Sequence, residues 1–160
     1  MKTPPINHLR IVRATVADAE EILVLQKLAY QSEAELYGNF DIPPLKQTVE
    51  ELRDQFKDHV ILKAVHEDKI IGTVRAYEEN GTCFIGRLAV HPALQNRGVG
   101  TALLKAIEGH FAPKHFELFT GAKSGKNLSL YKKLGYAVCK TGKHGCGDIE
   151  VFFLEKVGKE

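Results

Sequence analysis

The chain has 160 residues, 44% hydrophobic and 26% charged, a balance that suits one globular domain over 1–160 with a sizeable core. Twenty-two basic residues stand against twenty acidic ones, for a formal charge of +2. Near-balance without a dense basic block argues against nucleic acid as a partner. No apolar run approaches the ~20 residues that span a bilayer, so no membrane role is expected. Met1 to Leu9 holds Pro4, Pro5, Asn7 and His8 and lacks an apolar secretory core, which predicts a cytoplasmic protein. Cys83, Cys139 and Cys146 form an odd set, as expected of reduced thiols rather than a disulfide framework.

Leu9 to Arg13 alternates apolar and polar like a half-buried strand. A helix opens at Asp18, with Ile22, Leu25, Leu28 and Ala29 recurring at spacings of three and four, and with Thr15 or Asp18 as its cap. Tyr37 to Pro44, broken by Gly38 and Pro43-Pro44, reads as a loop. Thr48 to Phe56 reads as a second helix, with Val49, Leu52 and Phe56 inward. Thr48 and Glu51 match a capping box.

Strands come next at Val60–Val65 and Lys69–Tyr77. Glu78-Glu79-Asn80-Gly81 carries the Asn-Gly turn signal, and Thr82–Val90 returns. Leu88-Ala89-Val90 is apolar on both sides of the alternation, which predicts burial on both faces. A helix over Gly98–Phe111 turns Leu103, Leu104 and Ile107 inward, and Pro113 stops it. His115–Thr120 is a strand, and Leu128–Leu134 is a helix ended by Gly135. Tyr136–Lys140 and Ile149–Lys156 close the chain. The order β-α-α-β-β-β-α-β-α-β-β predicts an α/β (α+β) fold: a mixed, mostly antiparallel sheet of six to seven strands flanked by about four helices.

The segment Gln95-Asn96-Arg97-Gly98-Val99-Gly100 joins a strand to a helix. A helix start offers unpaired N–H groups and partial positive charge, which suits a phosphate. Gly98 and Gly100 carry no side chain to block a ligand. The spacing matches neither the dinucleotide Gly-x-Gly-x-x-Gly pattern nor a P-loop, so a pyrophosphate held by backbone is the better reading. Val90-His91-Pro92 precedes this turn, and Asn127 to Tyr136, containing Leu130-Tyr131-Lys132-Lys133-Leu134-Gly135-Tyr136, comes after the next strand.

Together these motifs resemble the Gcn5-related N-acetyltransferase (GNAT) superfamily. Its cofactor signature, Gln/Arg-x-x-Gly-x-Gly/Ala after a Val-x-Pro-like step, is matched at Gln95, Gly98 and Gly100. Its Leu-Tyr-x-Lys-Leu-Gly-Phe/Tyr helix is matched at Leu130 to Tyr136. The opening Ile11-Val12-Arg13-Ala14-Thr15 with Asp18-Ala19 is also similar, so the likeness covers nearly the whole chain. The resemblance implies a splayed parallel strand pair, 82–90 and 115–120, that takes the pantetheine arm of acetyl-CoA along Leu88, Ala89 and Val90. The Leu88 N–H would face the thioester carbonyl. Amides of Gln95, Asn96, Arg97, Gly98, Val99, Gly100 and Thr101 would hold the pyrophosphate. Asn127 would bond the pantetheine arm. Tyr131 would act as general acid to the leaving thiolate.

The acceptor amine, an alkylammonium of pKa ~10.4, must lose a proton. The family's glutamate slot, counted back from Gln95, is Phe84, which cannot be a base. Glu78, Glu79, His91 and Glu117 are the candidates for the base, with water as the alternative. His144 could border the acceptor site. Arg75, Tyr77 and Arg87 could line the acceptor pocket, with arginine binding an acidic group, or could be ordinary surface residues. Tyr30, Tyr37, Phe40 and Asp41 fall in the family's variable substrate loop. Cys139, His144 and Cys146 offer only three ligands, short of a structural zinc site, so no metal is expected.

The implied activity is direct acetyl transfer from acetyl-CoA to a small-molecule or peptide amine in a ternary complex. No cysteine matches a nucleophile position. The alternative is a non-catalytic acetyl-CoA or CoA sensor on the same fold. A homodimer stays open.

Overall fold

The computed structural model describes residues 6–144 and 149–158, His144 by its backbone only. Seven strands form one sheet in the order β1-β2-β3-β4-β5-β7-β6. They are β1 (Arg10–Arg13), β2 (Val60–His66), β3 (Lys69–Glu79), β4 (Thr82–Val90), β5 (His115–Gly121), β6 (Ala137–His144) and β7 (Ile149–Val157). Every neighbouring pair is antiparallel except β4 with β5.

Tight turns set the antiparallel part. Asn80 and Gly81 sit at φ +52 and +84, as a type I′ hairpin needs. Glu67 and Asp68 take the same left-handed conformation, φ +50 and +62, between β2 and β3. That second turn carries no Asn-Gly signal.

The helices lie on both faces. On one face α5 (Val99–Glu108) and α6 (Gly125–Lys133) cover Cys83, Ile85, Phe116 and Leu118 with Val99, Leu103, Leu104, Ile107 and Tyr131. Each such aliphatic side chain contributes roughly 1.5–3 kcal/mol by leaving water. On the other face α1 (Ala19–Ala29) and α4 (Val49–Gln55) set Ala19, Ile22, Leu25 and Leu52 against Ile61 and Ile70. The capping box of α4 forms: the Glu51 N–H donates to Thr48 Oγ1 at 3.2 Å and the Thr48 N–H to Glu51 Oε1 at 2.9 Å. Ahead of α1, the Thr15 N–H donates to Asp18 Oδ2 at 2.9 Å, across a 3-10 turn over Val16–Asp18.

Several sequence expectations shift. Leu28 is exposed rather than inward. Two further helices, α2 (Gln31–Tyr37) and α3 (Pro43–Lys46), fill the stretch after α1. The expected loop shrinks to the residues between them, because Pro43 starts a helical turn at its preferred first position. Helix α5 stops at Glu108, with Gly109 at its C-cap, and α6 begins at Gly125. At the end of β4 only Ala89 is buried, while Leu88 and Val90 are half-buried.

Candidate active site

Strands β4 and β5 pair only at Thr82–His115, Cys83–Phe116 and Phe84–Glu117. Beyond Phe84 they diverge, so the sheet opens into a gap at its centre. The β3–β4 register steps from Thr73–Ala89 to Arg75–Gly86, leaving Val74 opposite both Arg87 and Leu88. This is a β-bulge, and Arg87 sits in it at φ +52, a left-handed conformation uncommon for a side-chain-bearing residue.

The bulge reverses the alternation. Cys83 and Ile85 face the α5 side before it. After it Leu88 and Val90 do: a Cβ on Gly100 would lie 3.9 Å from Leu88 Cδ2 and 4.0 Å from Val90 Cγ2. The His91 N–H donates to the Ile71 carbonyl at 2.8 Å. Antiparallel alternation then assigns the Ala89 backbone groups to Thr73 of β3 and turns those of Leu88 and Val90 into the gap. The two carbonyls there receive side-chain donors, Tyr30 Oη to Leu88 at 3.1 Å and Gln95 Nε2 to Val90 at 3.4 Å.

The start of α5 lies at the mouth of the gap. Gly98, its N-cap, has φ +86, a conformation that suits glycine. The amides from Gly98 to Thr101 are those a helix start leaves without intrahelical partners. Val99 is buried and can offer only backbone, whereas Gly100 and Thr101 are half-buried. His91 Nδ1 accepts from the Ala93 N–H at 3.1 Å, so that ring shapes the turn. These features set a row of open amides beside the gap, an arrangement able to hold an anion.

Tyr131, on α6, is 6% exposed, and its ring meets that of Tyr136 edge-on at 6.2 Å. Burial above all, then the charges of Tyr30 and Glu33, push its hydroxyl well above the usual tyrosine range. It therefore stays protonated at any working pH, a hydrogen-bond donor by default. Asn127 lies half-buried in the first turn of α6.

Helix α2 is tied to the β5–α6 connection. Tyr37 Oη accepts from the Lys123 N–H at 2.8 Å, and Ser124 Oγ donates to Glu33 Oε2 at 2.5 Å. Tyr37 lies against the backbone of Gly121, where a Cβ would overlap its hydroxyl. Glu33 thus becomes a half-buried carboxylate whose charge reaches both Tyr30 and Tyr131. Nothing in its local sequence marks it; the helix that carries it is amphipathic only through Ala34.

On the face of the sheet away from α5, Gln47 Oε1 accepts three donors. They are Gln26 Nε2 at 3.0 Å, Arg75 Nη2 at 2.8 Å and Arg87 Nη1 at 3.3 Å. Sequence reasoning grouped the two arginines but missed Gln47, which lies beyond α3 and draws them together.

Phe84 stacks on Tyr77 at 5.2 Å, and Tyr77 meets His59 edge-on at 4.9 Å. Phe84 is the last β4 residue paired with β5, so this aromatic row starts at the closed end of the gap. Glu117 pairs with Phe84 across the parallel strands and shares its face, half-buried. Glu78 and Glu79 are exposed at the β3–β4 hairpin, beyond that closed end. Phe40 is exposed, and Asp41 bonds at its surface to Lys46. Burial pushes the Cys83 thiol up to about 12, so it holds no thiolate near neutral pH. Cys146 and the His144 side chain lie outside the described residues. Among the described residues, no cluster of three or more His, Cys, Asp or Glu could hold a metal, and no helix is long and apolar enough to cross a membrane.

Solved structures with a similar architecture include N-acetyltransferases. The PaiA N-acetyltransferase of Thermoplasma acidophilum, in complex with coenzyme A, superposes with TM-score 0.74 at 19% identity, covering 93% of this chain and 98% of that one. The ribosomal-protein-S18-alanine N-acetyltransferase of Escherichia coli gives 0.77 at 14% identity, covering 95% of each. The yncA protein of Salmonella typhimurium, with its cofactor acetyl-CoA, gives 0.76 at 15% identity and 96% of each. The curated protein YqkA (UPF0157) of Bacillus subtilis is 31% identical over 144 residues, which is 89% of this chain and 40% of that protein. The chain thus spans about two fifths of that relative's length. The profile of the acetyltransferase (GNAT) family matches residues 23–136, and the chain belongs to that family.

Proposed function

We propose that the protein transfers an acetyl group from acetyl-CoA directly to an amine, both substrates bound together. One observation carries this reading: β4–β5 pairing stops at Phe84–Glu117. Past that break lie the bulged edge of β4 and the start of α5, whose Gly100 stands near Leu130, the neighbour of Tyr131 on α6. Coenzyme A fits the gap chemically, with its pyrophosphate at the amides of Gly98 to Thr101 and its arm along the Leu88 and Val90 backbone. The bound thioester supplies the acyl group.

The protein's part is orientation and charge. The Leu88 N–H faces the carbonyl oxygen and stabilises its developing negative charge. The amine nitrogen forms a bond to the acyl carbon as the C–S bond breaks. Tyr131 donates a hydrogen bond to the departing sulfur. A thiolate of ordinary pKa ~8.5 needs no stronger acid, and a tyrosine held above its usual range gives up a proton reluctantly. The ammonium proton leaves through water, through Glu117 at the last β4–β5 pairing, or through Glu33, whose charge reaches Tyr131.

Thiol release from acetyl-CoA with a panel of amines tests this reading. Steady release with at least one amine, cut about a hundredfold in Tyr131→Phe, supports it. Acetyl-CoA binding without release on any amine would instead identify a sensor.

A further inference from the structure

Two guanidinium groups meet at one uncharged oxygen. Arg75 Nη2 and Arg87 Nη1 both donate to Gln47 Oε1. Arg75 is only 4% exposed. Among the described residues neither arginine forms an ion pair; the salt bridges all lie elsewhere. Glu51, whose charge reaches Arg87, is engaged in capping α4. Burying cations without a counter-charge is costly, and the two cations repel, which lowers the pKa of Arg75 after the larger effect of burial.

The surroundings have space for the missing charge. Gly86 lies opposite Arg75 and beside Arg87, and a Cβ built there would meet nothing within 4 Å. Each guanidinium carries five N–H donors, and the contacts to Gln47 use one from each. The remaining donors form planar forks of the kind that bind carboxylate or phosphate. Arg87 takes its aim from a left-handed bulge at φ +52, and such strain collects at functional sites. Tyr30, which feels the charge of both arginines, bonds the carbonyl of Leu88. The cationic pair therefore stands next to the bulge whose N–H faces the reacting centre.

We propose that the acceptor amine carries an anionic group, a carboxylate or phosphate, held by Arg75 and Arg87 beside Gly86. This names the substrate class of the acyl-transfer site proposed above and rests on that reading. The spacer between amine and anion is short, since Arg87 adjoins Leu88 on β4 and Arg75 faces Gly86 from β3. Neutral amines of the same length lack the anchor.

Calorimetry on the protein saturated with CoA tests it, using matched probes: β-alanine against β-alaninamide, and O-phosphoethanolamine against ethanolamine. The acidic member should bind about tenfold to a hundredfold tighter, the range of a charge-assisted hydrogen bond or two. Comparing the two pairs shows whether carboxylate or phosphate is preferred. In Arg87→Gln the ratio should fall close to one, and Arg87→Lys should restore part of it. Arg87 is half-buried, so this variant should fold where Arg75→Gln could fail. Arg13→Gln, an exposed change of equal charge on β1, should leave the ratio intact. Equal binding of acidic and neutral probes overturns the proposal, as does a ratio that survives Arg87→Gln. Acidic probes that bind without any thiol release in turnover assays would sink acyl transfer and leave the anion site standing. Release that favours the neutral probes would do the reverse.

Discussion

The two sides of the central gap are built by different means. The side toward α5 consists of backbone: the groups of Leu88 and Val90, and the amides of a helix start held open by Gly98 at φ +86. The far side consists of side chains gathered from Tyr30, Gln47, Arg75 and Arg87. A backbone site tolerates almost any sequence that keeps its shape, so it suits a cosubstrate shared by a whole family. A side-chain site changes with each substitution, which suits an acceptor particular to one protein.

The largest expected effect strikes the backbone side. Gly98→Val forces a branched residue into a left-handed conformation, at roughly 1–2 kcal/mol, and reshapes the helix start. CoA affinity should drop by about two orders of magnitude in calorimetry, while a folded protein persists. Unchanged affinity would remove the helix start from the cofactor site.

Tyr131→Phe keeps the ring and deletes one donor. Turnover should fall about a hundredfold, at the lower end of acid–base contributions, with CoA affinity unchanged. The pH profile sharpens this. Because the Tyr131 hydroxyl is held above its normal range, it does not ionise on the alkaline side, so kcat/KM should rise with pH and show no descending limb below about pH 10, the ordinary tyrosine value. A limb falling near pH 9 that vanishes in the variant would contradict the assignment.

On the side-chain face the sign reverses. Arg87→Gly removes both a left-handed strain and an unpaired charge. Urea unfolding should show it as stable as the parent or more so, by up to about 1 kcal/mol, whereas function on an acidic acceptor is lost. A loss above about 2 kcal/mol would make Arg87 a structural residue. The smallest effect is expected at Cys83→Ala. Stability should fall by about 1 kcal/mol, near one methylene's worth of burial, and turnover should change less than twofold, since a thiol pushed up to about 12 takes no part in acyl transfer.

The same contrast explains how much the sequence could reveal. The proposed cofactor side is local: residues 88 to 101 and 127 to 136 carry it as contiguous motifs, and the succession of strands along the chain and the Asn80-Gly81 turn came from spacing alone. The far side is not local. Gln47 meets Arg75 and Arg87 from 28 and 40 positions away, and no periodicity links such residues. Alternation counted from Phe84 also misplaces the end of β4, because a bulge at Arg87 flips every later side chain. Glu33 escaped for a related reason. Only Ala34 of α2 is buried, too little apolar pattern to announce a helix, and without α2 nothing places Glu33 near Tyr131.

The central claim is that CoA is held by the backbone of β4 and α5 and not by the arginine face. NMR of the labelled protein reads both at once, through the amides of Leu88, Val90 and Gly98 to Thr101 and the side-chain Nε signals of Arg75 and Arg87. Titrating CoA should shift the amides strongly and leave the arginine signals nearly still. Strong shifts of the arginines with quiet α5 amides would contradict the account.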